Sequence, residues 1–437
     1  MEKFLQLRNK HKEFVYHDFE ISETGFKFHF SIDEYNFYPS WSFSEGTIGQ
    51  HVNRDLLEYA VFSLGMAELV SYWKCACPPV VRIKCGALDQ QRIQWWKKLY
   101  FNGLGEFFYR NEIKTDVESF MTIIADNSDV PVFNEQYQGD GFLIPVGGGK
   151  DSVVTLELLR DYHSKNLCYI INPRGATVGC ANAAGYNEGQ ILGVGRTIDK
   201  QLLELNKMGY LNGHTPLSAV IAFSGWIFAY CTGRRYVALS NESSANEANI
   251  EGTKINHQYS KSTEFESDFR RYTSNCFGAY PEYFSLLRPW SEWQIAKKFV
   301  QYPQYFPVFQ SCNVGSKTNV WCANCAKCLY VYIMLAAFLD DEQLISIFGK
   351  NMLDDEQYVD LFNGLVYQNY DKPFECVGTK AEINLALHTA KKLRKNDSMP
   401  LLLARYQPEN GSEPQNLDLF FDENNYVPDF LIPLLRG

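Results

Sequence analysis

No stretch of the 437-residue sequence approaches the roughly 18 uncharged apolar residues that a membrane-spanning helix needs. LCYIIN and LSAVIAFSGWIFAYC are too short and read as core elements. The opening MEKFLQLRNKHKEF is charged and lacks the apolar segment of a secretory leader. Positive charge is in deficit: 41 Lys and Arg face 51 Asp and Glu, a formal net charge of −10. That balance makes a poor general binder of nucleic acid, and an acidic ligand would need local lysines and arginines set against the global field. No internal repeat and no long low-complexity segment is visible. A cytoplasmic protein with neither a membrane nor a nucleic-acid partner is expected. In that reducing setting the 12 cysteines are expected as buried thiols, metal ligands or nucleophiles.

What is present is enough apolar material for large cores, 46% hydrophobic and 15% aromatic residues. At ~150 residues per domain the length suggests two or three domains. Residues 1–138 read as an α+β unit: GFKFHFSIDEYNF alternates like antiparallel strands, Asp55–Trp73 has a strong helical pattern, Val80–Cys85 reads as a strand and Gln90–Tyr100 as a helix. The aromatic segment NGLGEFFYRN that follows is expected to pack against the nucleotide domain, with contact to a substrate as the alternative. Over 139–300 strands expected at 142–146, 167–171 and 236–240 alternate with helices at 151–163 and 216–231, the pattern of a parallel sheet with crossover helices. Residues 301–437 read as helical, with a Pro- and Asn-rich tail after Ser398 wrapping the surface.

The most telling segment is FLIPVGGGKDS, Phe142–Ser152, followed by VVTLELLRDY. It is a buried strand, a glycine loop and a helix start. Glycines allow a tight turn that brings N–H groups close to a ligand, and the helix N-terminus adds free N–H donors and a positive dipole end. The arrangement suits phosphate. The spacing is not that of a Walker A loop. It resembles the PP-loop, SGGxDS, of the ATP pyrophosphatase superfamily, with Gly147 in place of the first serine and one hydroxyl contact to phosphate therefore missing.

Ligands of parallel sheets sit beyond the carboxyl ends of the strands. Two further polar segments occupy such positions, Asn172–Arg174 and the segment starting at Asn241. Residues 238–266 are dense in Asn, Ser, Glu, His and Lys and poor in apolar anchors. Glu242 and Glu247 have the hard oxygen donors that suit Mg²⁺, while His257 and Lys261 suit an anionic substrate or proton transfer. Each of these residues taken singly also fits a solvated loop. Thr215 as N-cap with Pro216 behind it would start a helix, placing His214 at the ligand end of the sheet as a catalytic group or merely beside the cap. Cys312, Cys322, Cys325 and Cys328 form C-x9-C-x2-C-x2-C, a spacing that supplies four thiolates to a structural zinc. A redox pair of Cys325 and Cys328 is the competing reading.

The glycine loop together with the four cysteines is similar to the enzymes that make 7-cyano-7-deazaguanine. The middle of the chain differs from them. GGGKDS, NGHTP, SNESSANEANIEGTKINHQYSKSTEFE, WCANCAKC and PFECVGT in succession resemble the UDP-N-acetylmuramoyl-L-alanyl-L-glutamate epimerase family, over about residues 140–380. The resemblance implies an α/β fold with an adenine nucleotide alpha hydrolase-like PP-loop core. It further implies inversion of the terminal L-glutamate of a UDP-muramoyl dipeptide with ATP and Mg²⁺, through an acyl-adenylate, releasing AMP and diphosphate for peptidoglycan synthesis. On that basis Gly147, Gly148, Gly149, Asp151, Ser152 and Asn172 are assigned to ATP, and Asp151 with Glu242 or Glu247 to Mg²⁺. Lys150, Glu242, His257 and Lys261 are assigned to catalysis, and His214, Asn241, Asn246 and Arg270 to the substrate; Arg270 and its neighbour Arg271 also fit surface salt bridges. The alternatives are another adenylating enzyme (a nucleobase-modifying synthase, or an amide ligase, for which no glutaminase domain is visible) and a non-catalytic nucleotide-binding module.

Overall fold

The computed structural model describes residues 1–133, 137–250, 252–253, 255–312, 314–394, 399–408 and 414–436. Glu251 and Lys254, within the polar segment 238–266, lie outside the described residues. Among the described residues eleven strands join in one sheet: β1 (Glu13–Ser22), β2 (Gly25–Ile32), β3 (Tyr35–Phe37), β4 (Ser40–Ser42), β5 (Val80–Ile83), β6 (Thr122–Ala125), β7 (Phe142–Pro145), β8 (Leu167–Ile171), β9 (Ile191–Arg196), β10 (Tyr236–Leu239) and β11 (Glu282–Ser285). Their order is β11-β10-β7-β8-β9-β4-β2-β1-β5-β6, with β3 paired to β2. From β11 to β9 all neighbours are parallel. The N-terminal strands are mixed and join the parallel set through the antiparallel pair β4–β9, with Trp41 opposite Arg196.

Alternation along the parallel strands explains why they read as unbroken apolar runs. Leu143, Tyr169, Val237 and Tyr283 face one core, which includes the helices Arg54–Trp73 and Leu217–Cys231. Ile144, Cys168, Ile170, Ala238 and Phe284 face the other, with the helices Lys150–Leu158, Glu292–Phe299 and Ala326–Ala336. The helix Arg54–Trp73 starts at Asn53, whose side chain accepts from the N–H groups of Asp55 and Leu56. Past Ser398 the C-terminal segment lies against the second core, where the indoles of Trp293 and Trp290 donate to Asp418 and to the Leu435 carbonyl, each at 2.9 Å. No helix among the described residues is long and apolar enough to cross a membrane.

Two helix boundaries depart from the sequence reading. The helix expected over 151–163 ends at Leu158 and continues as a 3-10 turn over Arg160–Lys165, and the Asn166 amide takes up the Leu159 carbonyl. The cap assigned to Thr215 is not made: the helix begins at Leu217 with Pro216 in the cap position, and the Thr215 hydroxyl instead accepts from Ser71 at 3.4 Å.

The strand order places the functional end. β7 has β8 on one side and β10 on the other, so the chain winds outward through β8 and β9 and then returns to lay down β10 and β11. The direction reverses between β7 and β10, the position at which open parallel sheets hold their ligands. The glycine loop leaves β7, and Asn241 and Glu242 follow β10.

The seam between the two kinds of sheet is held by a buried ion pair. Glu68, fully buried on the helix Arg54–Trp73, accepts from Arg196 on β9 through two bonds of 2.6 Å and from the Trp41 indole on β4 at 3.0 Å. Arg196→Ala would strand that carboxylate, and a loss of about 3–5 kcal/mol in unfolding free energy is expected. Urea denaturation measures it; a loss below about 1 kcal/mol would show that the seam does not depend on the pair.

Candidate active site

The glycine loop is shaped by its own residues. Gly148 has φ +82°, and a Cβ there would stand 2.9 Å from the backbone of Ala176, so glycine is required twice over. Gly147 faces open space, so a serine would fit where this chain lacks one. Gly149 caps the helix Lys150–Leu158, and the Ser152 hydroxyl accepts from the Gly148 N–H at 3.2 Å while donating to the Gly149 carbonyl at 2.9 Å.

Behind this loop Lys150 points inward, buried between the carboxylates of Asp151 and Glu292. Glu292 opens the helix Glu292–Phe299 and was not legible in advance. Carboxylate oxygens of Asp151, Glu242 and Glu292 lie within 4.8 Å of one another. Burial pushes the Asp151 carboxyl up, but Lys150, Lys327 and Lys261 outweigh it and hold the group below its ordinary value. Glu292 is moved the other way, because its own burial exceeds the help it receives from Lys150. Glu382 stands behind it, accepting from the Glu292 N–H at 2.8 Å, and burial together with Glu292 raises its pKa to about 7.

Beyond the carboxylates the site continues into a second group. Lys261 lies 3.4 Å from the sulfur of Cys376, and its charge is maintained against burial by Cys376, Glu242 and Asp151. Lys327 donates to the Cys376 carbonyl. His257 hydrogen-bonds Glu106 through Nδ1, and the Cys376 sulfur also favours its charged form. Burial works against its imidazolium form, but Cys376 and Glu106 outweigh burial and raise the pKa to about 9. Glu106 remains ionised, below its ordinary value, since His257, His214 and Arg110 outweigh its desolvation. Nδ1 of His257 therefore donates to it. His214 stacks obliquely on His257 at 4.1 Å, and burial and that neighbouring charge lower its pKa to about 3, leaving it neutral. A cleft of about 790 Å³ opens beside this group, lined by Phe101, Asn102, Gly105, Phe108, Tyr109 and Ile255.

The fold thus brings Lys150, Asp151, Glu242, Lys261 and His257 into one line of charge, with the neutral His214 at its end. Arg288, fully buried, holds the middle of it by donating to the carbonyls of Glu242 and Lys261 and to Glu266 at 3.1 Å. The remaining candidates have partners of their own. Asn241 donates to Ser285 at 3.0 Å, Asn246 exchanges hydrogen bonds with Thr263, and Glu247 pairs with Lys372. Asn172 ties the end of β8 to Arg196, making its bonds at 2.8 and 2.9 Å. Arg270 donates to the Tyr283 carbonyl and stacks over Tyr426, while Arg271 is an exposed partner of Asp268. Phe107 and Phe108 of the aromatic segment are buried, as a packing role requires, but Glu106 beside them belongs to the site. Glu106, Glu292 and Arg288 carried no sequence signal; Lys327 lies in the WCANCAKC motif and Cys376 in PFECVGT.

The four cysteines converge. Sulfur atoms of Cys312, Cys322, Cys325 and Cys328 lie within 4.8 Å of one another, with Cys325 and Cys322 3.5 and 3.6 Å from Cys328. The N–H groups of Gly315 and Cys322 point at the Cys312 sulfur at 3.2 and 3.5 Å. Cys325 caps the helix Ala326–Ala336, so the cluster fixes the start of the helix from which Lys327 reaches Cys376.

Comparison with known proteins adds a family. Residues 6–286 match a family model described as MurL N-terminal domain, and residues 308–417 one described as MurL C-terminal domain. A protein of Xanthomonas oryzae pv. oryzae (strain MAFF 311018), named UDP-N-acetyl-alpha-D-muramoyl-L-alanyl-L-glutamate epimerase, is 34% identical over 77% of this chain and 75% of its own length. Relatives of the same name from Micromonospora sp. (strain ATCC 39149 / NRRL 15099 / SCC 1413) and Salinispora tropica (strain ATCC BAA-916 / DSM 44818 / JCM 13857 / NBRC 105044 / CNB-440) are 35% and 34% identical, each over 73% of this chain and 71% and 70% of their own lengths. No solved structure matches.

The charge state of His257 gives a test of this geometry. Glu106→Gln removes a group that favours the imidazolium form, so the His257 pKa should fall from about 9. NMR titration of the imidazole measures it; an unchanged value would leave Cys376 as the group that holds the charge.

Proposed function

The chain belongs to the MurL family, and from that membership we propose that it inverts the terminal L-glutamate of UDP-N-acetylmuramoyl-L-alanyl-L-glutamate, using ATP. It is an epimerase. The observation that carries the ATP-dependent reading is the placement of a glycine loop at the reversal of strand order, with three carboxylates and a buried lysine directly behind it.

The chemistry asks for such a place. Removing the α-proton of a carboxylate would put two negative charges side by side. Adenylation of the carboxyl group takes one of those charges away and acidifies the α-proton, and hydrolysis of the acyl-adenylate afterwards frees the product. The glycine loop would receive phosphates on its backbone N–H groups and at the start of the helix Lys150–Leu158. Lys150 would exchange part of its carboxylate contact for phosphate. Asp151, Glu242 and Glu292 have the oxygen donors and the spacing for Mg²⁺, which when bound neutralises charge on transferring phosphates. Glu247, held by Lys372, stands apart from that trio. The cleft beside Glu106 is of a size for the body of a large ligand. The cysteine cluster suits one zinc ion with no open coordination position, a role in holding the helix Ala326–Ala336 rather than in chemistry.

Incubation with ATP, Mg²⁺ and the UDP-linked dipeptide should release pyrophosphate and yield D-glutamate on chiral analysis. Pyrophosphate without inversion would make the protein an adenylating enzyme of another outcome. Lys150→Ala should slow pyrophosphate release by on the order of 10²–10³-fold, and unchanged release would remove the lysine from phosphate chemistry. Elemental analysis of the purified protein should find one zinc per chain, lost in Cys325→Ser; a metal-free wild type with full stability would leave the cluster as free thiols.

A further inference from the structure

Cys376 differs from the other thiols outside the four-cysteine cluster. Cys168, Cys180 and Cys231 are buried in apolar surroundings, and burial raises each of their pKa values to about 12. Cys376 is only partly covered and is surrounded by cations from three separate parts of the chain: Lys261 at 3.4 Å, Lys327 on its own carbonyl, and His257. The segment that presents it is fastened on several sides. The Asn249 amide donates to the Pro373 carbonyl at 3.0 Å, Lys372 pairs with Glu247, and Phe374 packs on Tyr109 and beneath Arg110. His257, whose charge acts on the sulfur, is in turn oriented by Glu106. Sulfur, imidazole and carboxylate thus stand in the sequence that activates a thiol: a reacting atom, a ring beside it, and a third group that fixes the ring.

Lys261 links this triad to the phosphate end of the site, because the same ammonium lies in the field of Glu242 and Asp151. A carboxyl group activated at the glycine loop would therefore lie near the same ammonium that contacts the sulfur. Nδ1 of His257 is engaged by Glu106, and with its pKa raised to about 9 the ring is in its imidazolium form, so it has no free lone pair with which to take a proton.

We propose that Cys376, as a thiolate positioned by His257 and Glu106, is the base that removes the α-proton of the activated glutamate. The inference rests on the epimerase reading. The sulfur takes the proton, and the electron pair of the broken C–H bond moves into the bond between the α-carbon and the carbonyl carbon, with charge passing to the carbonyl oxygen. A proton in exchange with solvent then arrives on the opposite face, and the thiol returns its own proton to water. One proton leaves and one arrives, and no oxidant is involved. The thiolate form is favoured here, since Lys261, His257 and Lys327 outweigh the desolvation of the sulfur and lower its pKa to about 5.

The test separates adenylation from proton transfer. In D2O with ATP, Mg²⁺ and the UDP-linked dipeptide, the wild-type protein should release pyrophosphate and place deuterium at the glutamate α-carbon. Cys376→Ala and Cys376→Ser should still release pyrophosphate, while deuterium incorporation falls by at least about 100-fold. Exchange within tenfold of wild type in either variant would overturn the proposal. Loss of pyrophosphate release in a folded variant would also overturn it, placing Cys376 in the adenylation step. If both substitutions unfold the chain, alkylation of the wild-type protein at Cys376, located by peptide mass spectrometry, should give the same split; alkylated protein that still exchanges would count against the thiolate. A wild-type protein that releases no pyrophosphate and exchanges no proton would instead defeat the epimerase reading itself, and this inference with it.

Discussion

The ammonium of Lys150, buried between Asp151 and Glu292, is the contact on which the arrangement of the site turns. An unpaired charge at that depth would carry a desolvation penalty of several kcal/mol, so the lysine requires both carboxylates, and they require it. Each of the three residues is placed by backbone that has a further duty. Lys150 and Asp151 start the helix that closes the glycine loop, and Glu292 starts a helix whose own N–H is held by Glu382. The pair therefore binds the loop after β7 to the C-terminal helices, and any ligand that draws on the lysine alters the balance among three acids at once.

A second consequence follows from the chain's acidity. With a formal net charge of −10, the protein as a whole repels anions, including those the proposed reaction would bring to its site. The remedy is local. Lys150, Lys261, Lys327 and His257 are concentrated in one place, and each is balanced by an acid or by the Cys376 sulfur, so the site remains near neutrality until a ligand arrives. Arg288 serves that concentration without facing a ligand: wholly buried, it turns its two terminal nitrogens to two backbone carbonyls and Glu266, and so sets where Glu242 and Lys261 stand.

The sequence displayed the parts of this site that follow regular elements. β7, β8 and β10 are apolar runs because both of their faces are buried, and the polar residues after β7 and β10 mark the ligand end of a parallel sheet. β9 escaped the same reading because Gly193 and Gly195 interrupt its apolar pattern; Pro173 packs so closely that a Cβ at position 193 would approach it to 2.9 Å. β11 is only four residues long and follows a turn at Gly278 and Pro281, too short a run to stand out from its loop. Glu106 was hidden for a different reason. It sits among aromatic residues that do pack, and nothing local says that one side chain of a short helix turns away from the core toward a histidine some 150 positions later. Pairings of that kind depend on the closed tertiary structure, and sequence periodicity does not carry them.

The cysteine cluster belongs to the same argument, though it stands outside the chemistry. Its four sulfurs draw together a loop and the N-terminus of the helix Ala326–Ala336, and Lys327 is the second residue of that helix. A side chain so close to a fixed helix start has little freedom in where its ammonium goes, and here it goes to the Cys376 backbone. Cations that hold a thiolate also weaken it as a base, since a lower pKa means a poorer proton acceptor. The resolution lies in what the lysines share. Lys261 and Lys327 feel Asp151 as well as Cys376, so negative charge brought in beside the glycine loop competes with the sulfur for the same cations. As that charge arrives, the thiolate is released from part of its stabilisation and its basicity rises. On this reasoning the two halves of the site are coupled through their lysines, and the proposed base would gain strength when an activated carboxyl group is in place.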